Sequence, residues 1–233
     1  MSVWQNINNF FITLSNKLGL IKNLGQALDI KNWVFGGRDA AFTIALVALY
    51  AKMAGADGVV TNSEIAAFKA SVDVPADSEE QVDKLFELAQ SDIAGYKSYA
   101  KKIKRLFSDN LQTLEHVLEG LFFIAAADGL IHEDELNYLK SVSEIFGFDD
   151  VKFEQIAAAF MIDDEGADPY IVLGLLPSDS NEKIKRIYRT LVSENHPDRL
   201  IASGLPKEMH LLATGRMAAI NSAYDLIVKA RNI

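Results

Sequence analysis

Cysteine is missing from this 233-residue sequence, and the chain has only four histidines and five prolines. The lack of cysteine excludes a disulfide scaffold, a thiol nucleophile, an iron–sulfur cluster and a Cys-ligated zinc site. Basic side chains are also scarce, since 23 Lys and Arg stand against 32 Asp and Glu, for a formal charge of −9. Non-specific nucleic-acid binding depends on neutralising phosphates, so we expect no nucleic-acid partner.

Long apolar runs are missing as well. The longest is AAFTIALVALYA at residues 40–51, which Thr43 interrupts and Lys52 follows. A helix that crosses a bilayer needs roughly 20 apolar residues, so this run predicts a buried core helix. The first residues, MSVWQNINNF, lack the basic region and apolar run of a secretory signal. We therefore expect a cytoplasmic protein.

An amphipathic pattern occupies residues 1–30. Its apolar positions recur at spacings of three, four or seven and predict one helical stripe: Trp4, Ile7, Phe11, Leu14, Leu18, Ile21 and Leu28. One interpretation packs this helix on its own domain or on a second copy, which would give a homodimer. The other lays it on a membrane surface, although Lys17 and Lys22 are its only basic residues.

The remainder has an ordinary globular composition, with 49 % apolar and 24 % charged residues, and its apolar positions follow helical spacing. We predict an all-α protein, with the first helices over about 38–54, 62–72, 78–91, 95–107, 110–127, 133–146 and 150–161.

Charge divides the chain near residue 167. Residues 1–167 carry 14 basic and 25 acidic side chains, whereas residues 168–233 carry 9 basic and 7 acidic ones. A change of sign predicts modules with different partners. We predict an amphipathic segment at 1–37, a helical domain at 38–165 and a C-terminal domain at 166–233.

The helical domain contains an internal repeat. Residues 56–65 (ADGVVTNSEI) align with residues 127–136 (ADGLIHEDEL) at an offset of 71 residues, and each follows an Ala-rich helix. This predicts a duplicated helix–turn–helix unit whose halves pack about a pseudo-twofold axis.

The two acidic turns carry candidate metal ligands. Each matches positions 5, 6, 8 and 12 of an EF-hand loop but lacks the oxygen ligands of positions 1 and 3. If the turns meet, they would form a weak divalent-cation site from four carboxylates: Asp57, Glu64, Asp128 and Glu135. The alternative is helix capping, in which Thr61-x-x-Glu64 is a capping box. Both interpretations stay open, and we expect no other cofactor.

Residues 38–162, with their doubled acidic turn, resemble the TerB-type helical domain of tellurite-resistance proteins and the related domain of the DjlA family. The resemblance implies a compact all-helical bundle whose acidic surface has been suggested to bind metal ions.

The C-terminal domain opens with clear helix signals. Asp168 and Pro169 predict the start of a short helix that Gly174 ends. Ser180 predicts the cap of a second, basic helix. That helix should end near Asn195, because the residue before a proline avoids the helical region.

The tripeptide His196-Pro197-Asp198 would form a rigid exit from the second helix. A loop over residues 199–205 then leads to a third helix that starts at Pro206. The second and third helices predict an antiparallel hairpin.

From Asp168 to about Lys229 the sequence resembles a J domain, the module of DnaJ-type co-chaperones. The resemblance rests on D-x-Y-x-x-L-G, the basic helix I-K-R-x-Y-R-x-L, the HPD tripeptide and A-x-I-N-x-A-Y-D-L-I. With the preceding bundle, the whole architecture resembles the DjlA family, which implies a TerB-like bundle followed by a J-domain hairpin.

The resemblance implies a partner rather than a reaction. J domains present the HPD loop and the basic helix to an acidic face of a DnaK-type chaperone and stimulate its ATP hydrolysis. The matching residues here, in the contact helix and the loop, are Lys185, Tyr188, Arg189, His196, Pro197 and Asp198. The sequence departs from the family pattern at Glu194 and Asn195, where a basic and an aromatic residue are common.

DjlA-family proteins are typically anchored in the inner membrane by an N-terminal span. Because this sequence shows no adequate span, the alternative to a free cytoplasmic protein is a peripheral one on the cytoplasmic face, held through residues 1–30. The competing function is a stress-response metal sensor or scaffold that acts through the acidic domain. The sequence does not identify a client protein.

Overall fold

The computed structural model describes residues 37–54, 62–71, 74–91, 95–126, 130–160, 168–202 and 210–233. These ranges are helical and contain no β-strand, which confirms the all-α prediction. The predicted amphipathic stripe of residues 1–30 lies outside the described residues, and the membrane and homodimer interpretations stay predictions. No helix in the described ranges is long and apolar enough to cross a lipid bilayer.

The first group of helices, the N-terminal bundle, consists of α1 Gly37–Ala54, α2 Asn62–Ser71, a 3-10 turn Ala76–Ser78, α3 Glu79–Ser91, α4 Tyr96–Leu106, α5 Leu111–Ala125, α6 Glu133–Phe146 and α7 Asp150–Ala157. The second group, the C-terminal module, consists of α8 Pro169–Val172, α9 Asn181–Glu194, α10 Pro197–Ala202 and α11 His210–Arg231. The predicted boundary at residue 165 falls between the two described groups and stays a prediction.

Local signals explain several helix ends. Asn110 and Asp149 accept hydrogen bonds from the backbone N–H groups of Thr113 and Lys152, at 3.2 and 2.8 Å, and so cap α5 and α7. Gly147 ends α6 with a φ of 98°, a left-handed conformation that favours glycine. The predicted span 133–146 therefore matches α6 in the structure.

The helices on either side of the two acidic turns keep the spacing of the repeat. Helix α5 ends 71 residues after α1, at residue 125 against 54, and α6 begins 71 residues after α2, at residue 133 against 62. Most of both turns lies outside the described residues, so their meeting about a pseudo-twofold axis stays a prediction.

Helix α1 forms the centre of the bundle. Its residues 44–51 are all buried, which explains the long apolar run as a core helix. Aromatic side chains pack edge to face around it, with ring centroids 4.8 Å apart for Phe42 and Phe107 and 5.1 Å apart for Tyr50 and Phe68.

The C-terminal module has a second, smaller core. Its buried apolar residues are Val172, Leu173, Leu175, Ile184, Ile220, Ala223 and Ile227. Ala158 and Ala159, which follow α7, pack partly against this core, so the bundle contributes to it.

The prediction of a loop over residues 199–205 is wrong in its first part, because Pro197–Ala202 form helix α10. Proline is favoured at a first helical position, where its missing N–H costs nothing. The backbone N–H of Asp198 lies 3.3 Å from the Nδ1 atom of His196, which supports the start of this helix. Residues 203–209, including the predicted helix start at Pro206, lie outside the described residues.

Candidate functional site

Helix α9 presents a cationic surface. Its start is fixed by Ser180, whose hydroxyl accepts from the N–H of Lys183 at 3.2 Å. Ile184 is fully buried against the module core, whereas Lys185, Arg186 and Arg189 are exposed. Burial of one stripe of the helix therefore leaves the three cations on its solvent-facing surface.

Asp179 ties the turn before α9 to the helix. Its carboxylate accepts from the N–H of Leu176 at 2.8 Å and from the Nζ atom of Lys183 at 2.7 Å. The Leu176 hydrogen bond and, after it, the Lys183 ammonium lower the pKa of the Asp179 carboxyl below its ordinary value of 3.8.

Tyr188 faces α11 rather than open solvent. Its ring stacks on that of Tyr224, with centroids 3.8 Å apart and planes 7° apart, and its hydroxyl donates to the Oδ1 atom of Asn221 at 3.1 Å. The side chain is half-buried. It therefore packs α9 against α11 beside the exposed cations.

The tripeptide at 196–198 stands at the end of α9. Asn195 caps that end, since its backbone N–H and its Nδ2 atom both donate to the Leu191 carbonyl, at 2.9 and 2.7 Å. Asn195 is buried, whereas the side chain of His196 is 56 % exposed and that of Asp198 is 90 % exposed. The side chains of His196 and Asp198 are thus accessible at a helix end that Asn195 caps.

The exposed Asp198 carboxylate lies 3.8 Å from the Nδ1 atom of His196. It can accept a charge-assisted hydrogen bond from a guanidinium or ammonium group of a partner. Arg199 is also exposed beside it, with one guanidinium nitrogen 3.4 Å from the Ser193 hydroxyl. This corner carries both signs of charge on the surface and suits recognition by a macromolecule.

A second set of charged residues joins the module to the bundle, and the sequence analysis missed it. Arg216 of α11 is fully buried, and its Nε atom lies 2.9 Å from the Oε1 atom of Glu119 in α5. The His116 ring lies 4.0 Å from the same carboxylate. Lys152 of α7 approaches the carboxylate of Glu115 at 2.5 Å. We call Glu115, His116, Glu119, Lys152 and Arg216 the buried charge cluster, in which Glu115 and Lys152 lie partly exposed at its edge.

Burial raises the pKa of the Glu119 carboxyl, and the charges of Arg216 and His116 oppose that rise. The Arg216 and Glu119 atoms approach as an ion pair without hydrogen-bond alignment.

The helical periodicity of the sequence does indicate that Arg216 is buried. The buried stripe of α11 runs through Ile227, Ala223 and Ile220, and one more turn leads to Arg216.

Of the four candidate metal ligands, Asp57 and Asp128 lie outside the described residues, as does the side chain of Glu64. The Glu135 side chain is buried, and its Oε2 atom accepts from the N–H of His132 at 2.9 Å at the start of α6. One of the four thus takes a capping role. In the described part of the chain, no three His, Asp or Glu side chains form a group that could hold a metal ion. The four-carboxylate site stays a prediction.

Comparison with known proteins gives matches over most of the chain. The family model of the tellurite resistance protein TerB matches residues 43–158, within the N-terminal bundle. The co-chaperone protein DjlA of Photobacterium profundum is 30 % identical over 219 residues, which cover 83 % of this chain and 79 % of that protein. The protein of the same name from Vibrio parahaemolyticus is 28 % identical over 225 residues, with the same coverage.

A shorter and closer match is the co-chaperone protein DjlA of Pasteurella multocida, which is 52 % identical over 64 residues, or 28 % of this chain and 22 % of that protein. No solved structure gives a significant match. The extended matches cover both the bundle and the module, in a chain with the all-helical architecture that the sequence predicts. The chain therefore belongs to the DjlA family.

Proposed function

We propose that this protein is a co-chaperone that docks on a DnaK-type chaperone and stimulates its ATP hydrolysis. The observation that carries the proposal is the exposure of His196 and Asp198 at the capped end of a cationic helix. The relatives named as co-chaperones support it, since 83 % of this chain aligns with the DjlA protein of P. profundum.

The docking surface that we propose combines α9 with the corner that follows it. Its residues are Lys185, Tyr188, Arg189, His196, Pro197 and Asp198. Lys183 of α9 pairs with Asp179, but within the described residues the exposed Lys185, Arg186 and Arg189 form no ion pair with a carboxylate. Unpaired cations are free to steer the encounter with an acidic partner surface.

Each residue of the corner has a physical role in this proposal. Pro197 fixes its own φ, so less conformational entropy is lost when the corner docks. Asp198 accepts from a cation on the chaperone. His196 supports the start of α10 through its Nδ1 atom and presents the rest of its exposed ring to the partner.

Tyr188 also has a structural role in this proposal. Because its ring stacks on Tyr224, it orients α9 for docking and offers only its remaining exposed edge to the chaperone. The N-terminal bundle, in this proposal, selects where or on which client the chaperone acts. The chain itself carries out no reaction.

The test is the rate of ATP hydrolysis by a DnaK-type chaperone with increasing amounts of the full chain. We expect wild type to stimulate hydrolysis and His196→Gln to need at least about tenfold more chain for the same stimulation, which corresponds to about 1.4 kcal/mol of docking free energy. The matched control is His132→Gln, an exposed histidine at the start of α6. Equal stimulation by His196→Gln and wild type would overturn the proposal.

A further inference from the structure

The end of α9 receives one of its hydrogen bonds from the N-terminal bundle. The Nε2 atom of Gln112, in the first turn of α5, donates to the backbone carbonyl of Glu194. Glu194 is the last residue of α9, and its carbonyl is one of the four at a helix end that have no partner within the helix. Gln112 therefore acts as a C-terminal cap supplied by the other part of the molecule.

The buried charge cluster holds this cap in place. Gln112, Glu115 and Glu119 are spaced so that they share one face of α5. Glu119 on that face pairs with Arg216 of α11, two turns along the helix from Gln112. Because Arg216 is fully buried, a shift of one part of the molecule against the other would leave buried charges without their partners.

We propose that Gln112 is a positioning residue for the docking corner at 196–198, so that the bundle presents that corner to the chaperone in a fixed orientation. This inference rests on the proposed function. Between Gln112 and His196 lie the Glu194 carbonyl and the buried Asn195, whose two hydrogen bonds to Leu191 complete the helix end. An ordered corner loses less conformational entropy on docking, and the bundle thereby raises the affinity of a surface that it does not itself form.

The structure offers a matched control. Gln155 of α7 also reaches from the bundle to a backbone carbonyl of the module, that of Val172, at 3.5 Å. Val172 lies in the short helix α8, far along the chain from the docking corner. Replacing either glutamine removes one hydrogen bond between the two parts, and Gln155→Ala also removes the 3.5 Å hydrogen bond that Lys152 donates to it. Only Gln112 caps the helix that ends at the corner.

The experiment measures the concentration of full-length chain that gives half-maximal stimulation of the chaperone's ATP hydrolysis. We expect Gln112→Ala to raise that concentration about fivefold with an unchanged maximum, as for the loss of one hydrogen bond. We expect Gln155→Ala to change it less than about twofold. Gln112→Lys keeps a donor and should restore most of the affinity. Equal shifts for the two alanine variants, or no shift for Gln112→Ala, would overturn the inference.

A second measurement works without the chaperone. Exchange of the backbone amides of residues 195, 196, 198 and 199 in the free protein should accelerate in Gln112→Ala and stay unchanged in Gln155→Ala. Unchanged exchange in Gln112→Ala would overturn the positioning role even if docking occurs. If His196→Gln stimulated ATP hydrolysis as strongly as wild type while the exchange results were as expected, the proposed function would be overturned. The role of Gln112 as a cap of α9 would then still stand.

Discussion

The N-terminal bundle and the C-terminal module are held together by different kinds of contact. The bundle buries large aromatic side chains around α1: Phe42, Tyr50, Phe68, Tyr99, Phe107, Phe122 and Phe146. The module's described buried core has seven apolar residues and no aromatic ring, and its tyrosines are half-buried at the edge. A small core supplies little hydrophobic stabilisation, so the module depends on hydrogen bonds, on ion pairs and on its contact with the bundle.

Two arginines provide these polar contacts. Arg231 at the end of α11 donates to the Tyr170 hydroxyl at 2.8 Å, the Asp179 carbonyl at 2.7 Å, the Asn181 side chain at 3.0 Å and the Pro177 carbonyl. It thereby closes the module around the turn before α9. Arg216 joins the module to the bundle through Glu119. Arginine, a residue usually found on surfaces, can therefore hold a smaller part of a protein together and join it to a larger one.

The largest effect should come from Arg216→Ala. The variant leaves the Glu119 carboxylate buried without its partner, and we expect the free energy of unfolding to fall by about 3–5 kcal/mol. Chemical denaturation followed by circular dichroism measures the loss. The control is the double variant Arg216→Met with Glu119→Leu, which replaces both charges by apolar groups and should lose much less. A loss below about 1 kcal/mol in Arg216→Ala would show that the buried pair does not tie the module to the bundle.

Arg231→Ala should have an intermediate effect. It removes the hydrogen bonds that close the module, and we expect a loss of about 2 kcal/mol in the free energy of unfolding. Lys229→Ala, an exposed residue two positions earlier, serves as the control and should change stability little. If both variants lose the same free energy of unfolding, Arg231 does not have the structural role that its four contacts indicate.

The smallest effect should be the contribution of Asp179 to the pH dependence of the free energy of unfolding. Its pKa is lowered in the folded state, so its contribution to stability is present above the unfolded pKa and is lost as pH falls through the folded one. Asp179→Asn should therefore be less stable than wild type near neutral pH. The difference in the free energy of unfolding between Asp179→Asn and wild type should become smaller as the solution is acidified to about pH 2, below the ordinary pKa range of Asp. Denaturation curves at several pH values measure this, and a pH-independent difference would contradict the account.

The sequence predicts the bundle helices well because their signals are local. Helix α6 follows from the acidic residues of its first turn and from Gly147 at its end, and α9 follows from Ser180 and the position of Pro197. The loop prediction after Asp198 failed because two local rules competed. A proline that ends one helix also favours the start of the next, and the latter effect produced α10.

The charge cluster was not predicted because periodicity shows which face of a helix is buried but not what covers it. Arg216 continues the apolar stripe of α11, and Glu119 lies on a buried face of α5, but nothing in either helix alone pairs them. The same holds for Gln112 and Glu194, which are 82 positions apart in sequence. Contacts between distant segments required the structure.

The docking surface that we propose lies on the module, at the end of α9, and not on the bundle. Hydrogen exchange of the full chain, with and without an ATP-bound DnaK-type chaperone, tests this directly. We predict slower exchange of backbone amides at residues 185–199 in the complex and unchanged exchange in α6 and α7. Slower exchange confined to the bundle, with residues 185–199 unaffected, would contradict the account.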